Sequence, residues 1–235
     1  MLPLRVVLDR NLGGSFLVFL LVGAGLFAMF LFLTYYFQVN LGYTPLEAGF
    51  AFLPFSVGII LAAGIVAQLL PRLGPRALMV PGLTMAVVGM LLLTRIDQDS
   101  SYWALVFPAM VIMSVGLAGV FIPAASTSLV GVGSHDAGVA SAVLNTSQQI
   151  GGSLGTALLN TIFAGAVTAY FTDHPPASPE EGQQILPLAF IHGYQVAFSW
   201  GAALFAVALV VAAVFINAHK EDIPSDAAPV ADAAD

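Results

Sequence analysis

Six apolar stretches follow one another along these 235 residues, each long enough to cross a hydrocarbon layer of about 30 Å at about 1.5 Å per helical residue. They fall near Phe16 to Gln38, Leu46 to Leu70, Ala77 to Thr94, Trp103 to Val130, Gly138 to Phe163 and Tyr194 to Asn217. In hydrocarbon every backbone N–H and C=O must be satisfied within the segment, which leaves only helices for runs of this kind. The pattern therefore predicts an all-α membrane protein, a six-transmembrane-helix bundle over residues 16–217, with a cytoplasmic lead of residues 1–15 and a disordered cytoplasmic tail of residues 218–235. Composition agrees, since 8% of residues are charged against about 25% in a soluble domain. The apolar run after Arg10 is too long for the core of a cleaved signal peptide, so it stays attached.

The six Lys and Arg and thirteen Asp and Glu crowd into the intervals between stretches and the ends. The net charge of −7 comes from one interval and the tail, and points to no nucleic acid or other basic partner. With zero cysteines, disulfides and thiolate metal sites are excluded. Lys and Arg in short loops are retained on the cytoplasmic side. Arg5 and Arg10 precede span one, Arg72 and Arg76 lie between spans two and three, and Lys220 follows span six. Alternating spans put these five on one side, so both termini are expected in the cytoplasm. Arg95 is the exception, expected to snorkel to headgroups or to pair with Asp97 or Asp99.

Thr44-Pro45-Leu46-Glu47 reads as a helix start, with Thr44 as N-cap, Pro45 where its missing N–H costs nothing, and Glu47 closing the box. The interval from Thr172 to about Gly193 holds Asp173, Glu180, Glu181 and several prolines but no Lys or Arg, and is expected to be a solvated external loop.

Spans three and six are apolar nearly all round and suit lipid. Span five differs: Ser141, Asn145, Gln148, Gly152 and Gly155 recur at spacings of four, three, four and three, and Gln149 lies four beyond Asn145. Amides at membrane depth need partners, so this stripe either ties helices together or lines a wet cavity. Gly151 and Gly155, and Gly116 and Gly119 ahead of Pro123, mark sites of close helix packing. In span one, Tyr35 and Tyr36 suit an interfacial aromatic belt, while Phe27, Phe30, Thr34 and Gln38 are the candidates for contact with a greasy substrate.

No acidic or basic residue lies mid-span, and His135 and His192 fall near span ends as loop residues, so no side chain here is placed to carry a proton through the membrane centre. Metalloprotease, nucleophile-elbow, phosphate-loop and dinucleotide signatures are absent, so no catalytic residue, metal or cofactor is expected and the chain is not read as an enzyme.

Three segments resemble the major facilitator superfamily, and within it the 14-helix drug:proton antiporter branch. They are Tyr35 through Gly49 with Phe52-Leu53-Pro54, the loop Arg72-Leu73-Gly74-Pro75-Arg76, and Gly116 through Pro123 to the run Ala137 to Ala157. The resemblance covers roughly Arg5 to Asn217 and implies the C-terminal six-helix half of a multidrug exporter in the plasma (inner) membrane. Its first and fourth helices would line a central site, its second and fifth would shape the sides, and its third and sixth would face lipid. The substrate contacts implied are Phe27, Phe30, Thr34, Gln38, Asn145, Gln148 and Gln149, with Arg72 and Arg76 at a cytoplasmic gate. The family's loop motif has an acidic member missing here, Gln68 being the nearest polar residue. The antiporter motif and the membrane-embedded carboxylate belong to the family's other half.

One bundle cannot rock against itself. The chain is therefore expected to be a fragment of a longer exporter or to assemble with a separate N-terminal half or a second copy, using the proton gradient to move a small amphipathic substrate. The alternatives are a truncated or non-transporting membrane partner protein, or a carrier for a metabolite or lipid precursor.

Overall fold

The computed structural model describes residues 10–128 and 137–216. Arg5, His135, Lys220 and the 218–235 tail lie outside the described residues. Six helical rods are long and apolar enough to cross a membrane: Leu12–Asn40, Pro45–Leu73, Pro75–Leu93, Tyr102–Thr127, Gly138–Asp173 and Pro179–Phe215. They are spans one to six, and no strand occurs among the described residues. The first helix begins at Arg10, inside the segment read as the lead.

Local chemistry sets the joints. Span one ends in a π-helical turn, Tyr36–Asn40, and Gly42 at φ +68° reverses the chain, a conformation few other residues adopt. Thr44 then caps span two: its Oγ1 accepts from Glu47 N at 3.3 Å, and the Glu47 carboxylate accepts from Thr44 N at 2.8 Å. Span two breaks at Phe52 into Pro45–Ala51 and Leu53–Leu73. Pro54 has no N–H for Phe50 O and its ring crowds the preceding turn. The ladder slips there, Phe55 N bonding Phe52 O at 3.1 Å, and the Tyr102 hydroxyl of span four donates to Ala51 O at 2.8 Å.

Span one packs against spans five and six, span four against two and three, and three against six. Exchanging one with four, two with five and three with six reproduces these neighbours. The bundle is thus two three-span units, and because each has an odd number of spans the second is inverted. Met29, Phe32 and Leu33 of span one, Leu83 and Met90 of span three, Met113 and Leu117 of span four, and Phe198 and Phe205 of span six form the buried centre. Outward faces are apolar as well, with Ile60, Leu61 and Ile65 on span two, Leu154 and Leu158 on span five, and Val207 and Val210 on span six exposed. That surface suits hydrocarbon as solvent.

One end of the bundle gathers Tyr36, Tyr102 and Tyr194 and is called the tyrosine end. Tyr36 Oη donates to Asp97 O at 3.3 Å and Gln195 Nε2 to Ile96 O at 2.7 Å, tying spans one and six to the turn after span three. At the other end Gly74, φ +79°, joins spans two and three, and Gly14 meets Phe215.

Several expectations are corrected. Tyr36, placed in an aromatic belt, is fully buried, its ring 6.2 Å from those of Phe37 and Tyr194, because its hydroxyl has a carbonyl to bond; Tyr35 stays exposed. Of the two places expected for Arg95, the ion pair is not formed among the described residues, where Asp97 Oδ1 accepts from Gln98 N at 2.7 Å, and the exposed side chain is left to the snorkelling alternative. The external loop expected from Thr172 to about Gly193 shrinks to the turn between Asp173 and Pro179, since span five runs to Asp173 and span six starts at Pro179. Ser178 is the cause: its Oγ accepts from Glu181 N at 3.2 Å, Pro179 opens the helix, and the Glu181 carboxylate accepts from Ala177 N at 2.7 Å. Each of these helices has 37 residues, about 55 Å of rise, well beyond a 30 Å layer. The extended hairpin is held by Phe163 stacked on Tyr194 at 5.2 Å and by Tyr170 against His192 at 5.5 Å, so His192 is a helix residue rather than a loop one.

Candidate functional site: the groove between spans one and five

Spans one and five cross where glycines let them approach. Gly151 sits on the Leu20 backbone, Gly155 on that of Ala24, and Gly23 faces the Gln148 carbonyl, which a Cβ at 23 would meet at 2.5 Å. Gly116 and Gly119 play the same part between spans four and three, where a Cβ on Gly116 would stand 2.5 Å from Gly82 O; Pro123 is buried one turn further on. These positions are packing contacts.

From the crossing toward the tyrosine end, a groove of 480 Å³ opens between the two helices. Phe27, Leu31 and Tyr35 form one wall; Gly152, Ser153, Thr156, Ala157 and Asn160 form the other. Toward the Gly74 end, a hollow of 330 Å³ lies among Phe19, Ala125, Ser126, Ser141, Leu144 and Asn145. It sits where spans one and four touch through Phe19 and Phe121, rings 5.4 Å apart and edge-on.

The residues singled out in the sequence are divided by this geometry. Phe27 is in the groove and exposed, and Asn145 is in the hollow, its Nδ2 donating to Ser141 O at 3.0 Å. Gln149 is exposed on the same edge of span five. Gln148 is half-buried, with its backbone set against span one. Phe30 turns away toward span two, its ring 5.0 Å from Phe52 and 5.2 Å from Phe55. Thr34 Oγ1 donates to Phe30 O at 2.7 Å, and Gln38 is exposed in the π-turn. Arg72 and Arg76 are exposed on either side of Gly74.

Ser153, Thr156 and Asn160 were not singled out, although the signal was present. From Ser141 through Asn145 and Gln149 they continue one edge of span five at spacings of four, four, four, three and four. That edge leaves hydroxyls and amides exposed beside the aromatic wall of span one. None of the side chains lining the groove or the hollow is ionisable below the tyrosine range. Such a surface can stack on an apolar ligand and orient its polar groups through neutral hydrogen bonds. Among the described residues no group of His, Asp or Glu is placed to hold a metal ion.

Residues 2–156 match the family model of the Major Facilitator Superfamily. The chain belongs to that superfamily. The inverted pair of three-span units is the arrangement expected of one half of a major facilitator fold. The puromycin resistance protein of Streptomyces alboniger is 42% identical over 226 residues, covering 94% of this chain and 44% of the relative. The cephamycin export protein of Amycolatopsis lactamdurans is 32% identical over 163 residues, 69% of this chain and 34% of the relative. The lincomycin resistance protein of Listeria monocytogenes is 31% identical over 185 residues, 79% of this chain and 38% of the relative. This major facilitator chain therefore spans less than half the length of these relatives. Family and fold together make it a multi-pass membrane protein of a transporter family.

Proposed function

We propose that this chain acts as the C-terminal six-span half of an exporter of amphipathic organic compounds, with an N-terminal half completing the transporter and the proton gradient supplying the energy. The observation that carries this reading is the exposed polar edge of span five, Ser141 to Asn160, set against Phe27, Leu31 and Tyr35. A row of amides and hydroxyls left open on an otherwise apolar bundle would be costly in lipid, and its natural neighbour is a substrate path or the facing half. Relatives named for resistance to puromycin and lincomycin and for export of cephamycin support the same direction of transport. The lining described for groove and hollow holds no acidic residue, and we assign proton transfer to the other half. Arg72 and Arg76, on the side shared by every basic residue but Arg95, serve the cytoplasmic gate, in an inner membrane with both termini inside.

The test is drug efflux from cells in which this chain is joined to, or expressed with, an N-terminal major facilitator half. Replacing Asn145, Gln149 and Asn160 together by Leu should narrow the range of exported compounds and lower their efflux by about tenfold, equivalent to roughly 1.4 kcal/mol of lost contact. Unchanged efflux of every compound at equal expression would remove the groove from the substrate path. Coupled flux from the chain alone would refute the need for a partner half.

A further inference from the structure

Pro179 to Tyr194 carry span six roughly 24 Å past the turn that Gln195 touches through Ile96 O, and span five accompanies it as far as Asp173. Phe163 stacked on Tyr194 secures the base of this hairpin. Further out, Tyr170 joins the two arms. Its half-buried ring meets His192 of span six at 5.5 Å, tilted by 40°, and His174, one turn beyond it on its own arm, at 4.3 Å and 20°. The Tyr170 carbonyl belongs to the last turn of span five; it accepts from His174 N at 2.9 Å and lies 3.0 Å from His174 Nδ1. A carbonyl can only accept, so Nδ1 carries the hydrogen and Nε2 is where a further proton binds.

A cation at His174 stands at the negative end of a helix and against the face of a tyrosine ring, and a charged His192 draws the opposite arm toward the same ring. The surrounding charges favour both. Asp173 adjoins His174, Glu180 and Glu181 open span six, and no Lys or Arg lies from Thr172 to Gly193. The Glu181 carboxylate is partly occupied by Ala177 N. The neighbouring elements bring Tyr35 and Tyr36 from the end of span one, Tyr194 at the hairpin base, and Arg95, Asp97 and Asp99 from the turn after span three, Arg95 being the one base among them. His174 is exposed, so water weakens its repulsion of a charged His192. We propose that Tyr170, His174 and His192 form a clasp that tightens on acidification, drawing the projecting ends of spans five and six together when the imidazoles are charged and releasing them when neutral. The clasp needs neither a substrate nor a facing half; only its exposure to the outer side rests on the orientation proposed above.

The chain has no cysteine, so Thr168→Cys and Gln184→Cys, at exposed positions on opposite arms, can each take a spin label. In phosphatidylcholine nanodiscs, the distance distribution between these labels on the 235-residue chain should narrow by about a factor of two from about pH 8 to about pH 5.5, the interval in which imidazole gains its charge. His174→Gln and His192→Gln together should leave the broad distribution at both ends of that interval. Tyr170→Leu, which removes the shared ring and neither histidine, should do the same. A width that stays constant, a width that grows on acidification, or a response that survives the loss of both histidines would each overturn the proposal, the last by assigning the response to Asp173, Glu180 and Glu181. The first two outcomes are read on the hairpin with both histidines and Tyr170 in place, so they stand even where a substituted hairpin fails to fold.

Discussion

The ring of Phe27 closes over Gly152: a Cβ at position 152 would lie 2.8 Å from the ring's Cγ. Three residues on, Gly155 meets the backbone of Ala24, whose carbonyl oxygen would be 2.7 Å from an added Cβ. A ring can turn about its side-chain bonds, whereas a helix backbone must be displaced as a unit. Gly155→Ala is therefore expected to destabilise the bundle by about 1–3 kcal/mol, the ordinary cost of overpacking. Gly152→Ala should cost less and act on the groove, by pushing Phe27 further into it. Thermal unfolding in detergent checks the ranking, and a larger loss for Gly152→Ala would contradict it.

Tyr102 and Ala51 give a second comparison. The hydroxyl reaches a carbonyl that the Pro54 break has released from the helix ladder, at 2.8 Å, whereas Tyr36 reaches Asp97 O at 3.3 Å in an exposed turn. Tyr102→Phe should cost about 1 kcal/mol and loosen Pro45–Ala51; Tyr36→Phe should cost a few tenths, since water can replace its donor. Faster amide exchange in residues 45–51 for the first variant only is the expected result. No difference between the two would mean that the bend is set by Pro54 alone.

What the sequence revealed and what it concealed follow from the same physics. Hydrocarbon demands long apolar helices, so all six spans were visible, as was the box at Thr44 whose chemistry is local. Which edge of span five meets span one was not visible. Asn145 and Gln148 sit on one helical stripe by spacing, yet the glycines at 151 and 155 pull Gln148 into the contact and leave Asn145 outside. The surroundings of Phe30 are hidden for a similar reason, because its partners Phe52 and Phe55 come from another helix. The hairpin beyond Phe163 is concealed by its composition of acids and prolines, which suits a loop, although the order Ser178-Pro179-Glu180-Glu181 repeats the helix start of Thr44-Pro45-Leu46-Glu47.

That second cap is open to direct measurement. Ser178→Ala removes the acceptor for Glu181 N and should cost about 1 kcal/mol locally. The effect should stay in the first turns of span six, since Tyr194 stacked on Phe163 anchors the helix further along. Amide exchange rising over residues 179–184 but not beyond 194 is expected. Global loss of stability would show that the hairpin is coupled to the bundle rather than capped on its own.

Sidedness is the last expectation, and the chain is suited to it because it has no cysteine to remove. Spans two and three meet at Gly74 and spans five and six at the turn after Asp173, on opposite ends of the bundle. Arg72 and Arg76 lie at the first of these ends; at the second, Arg95 is the one Lys or Arg among the described residues, and none lies between Thr172 and Gly193. The excess of basic residues should hold the Gly74 end inside the cell. Single cysteines at Leu73 and at His174, both exposed, should therefore divide cleanly: an impermeant maleimide added to intact cells labels position 174 and reaches 73 only after lysis. Moving charge tests the cause. Replacing Arg72 and Arg76 by Gln while introducing two Lys beside His174 should lower that bias and yield a mixed population. If the division survives unchanged, the facing half or the first inserted span, and not the Gly74 loop, sets the orientation.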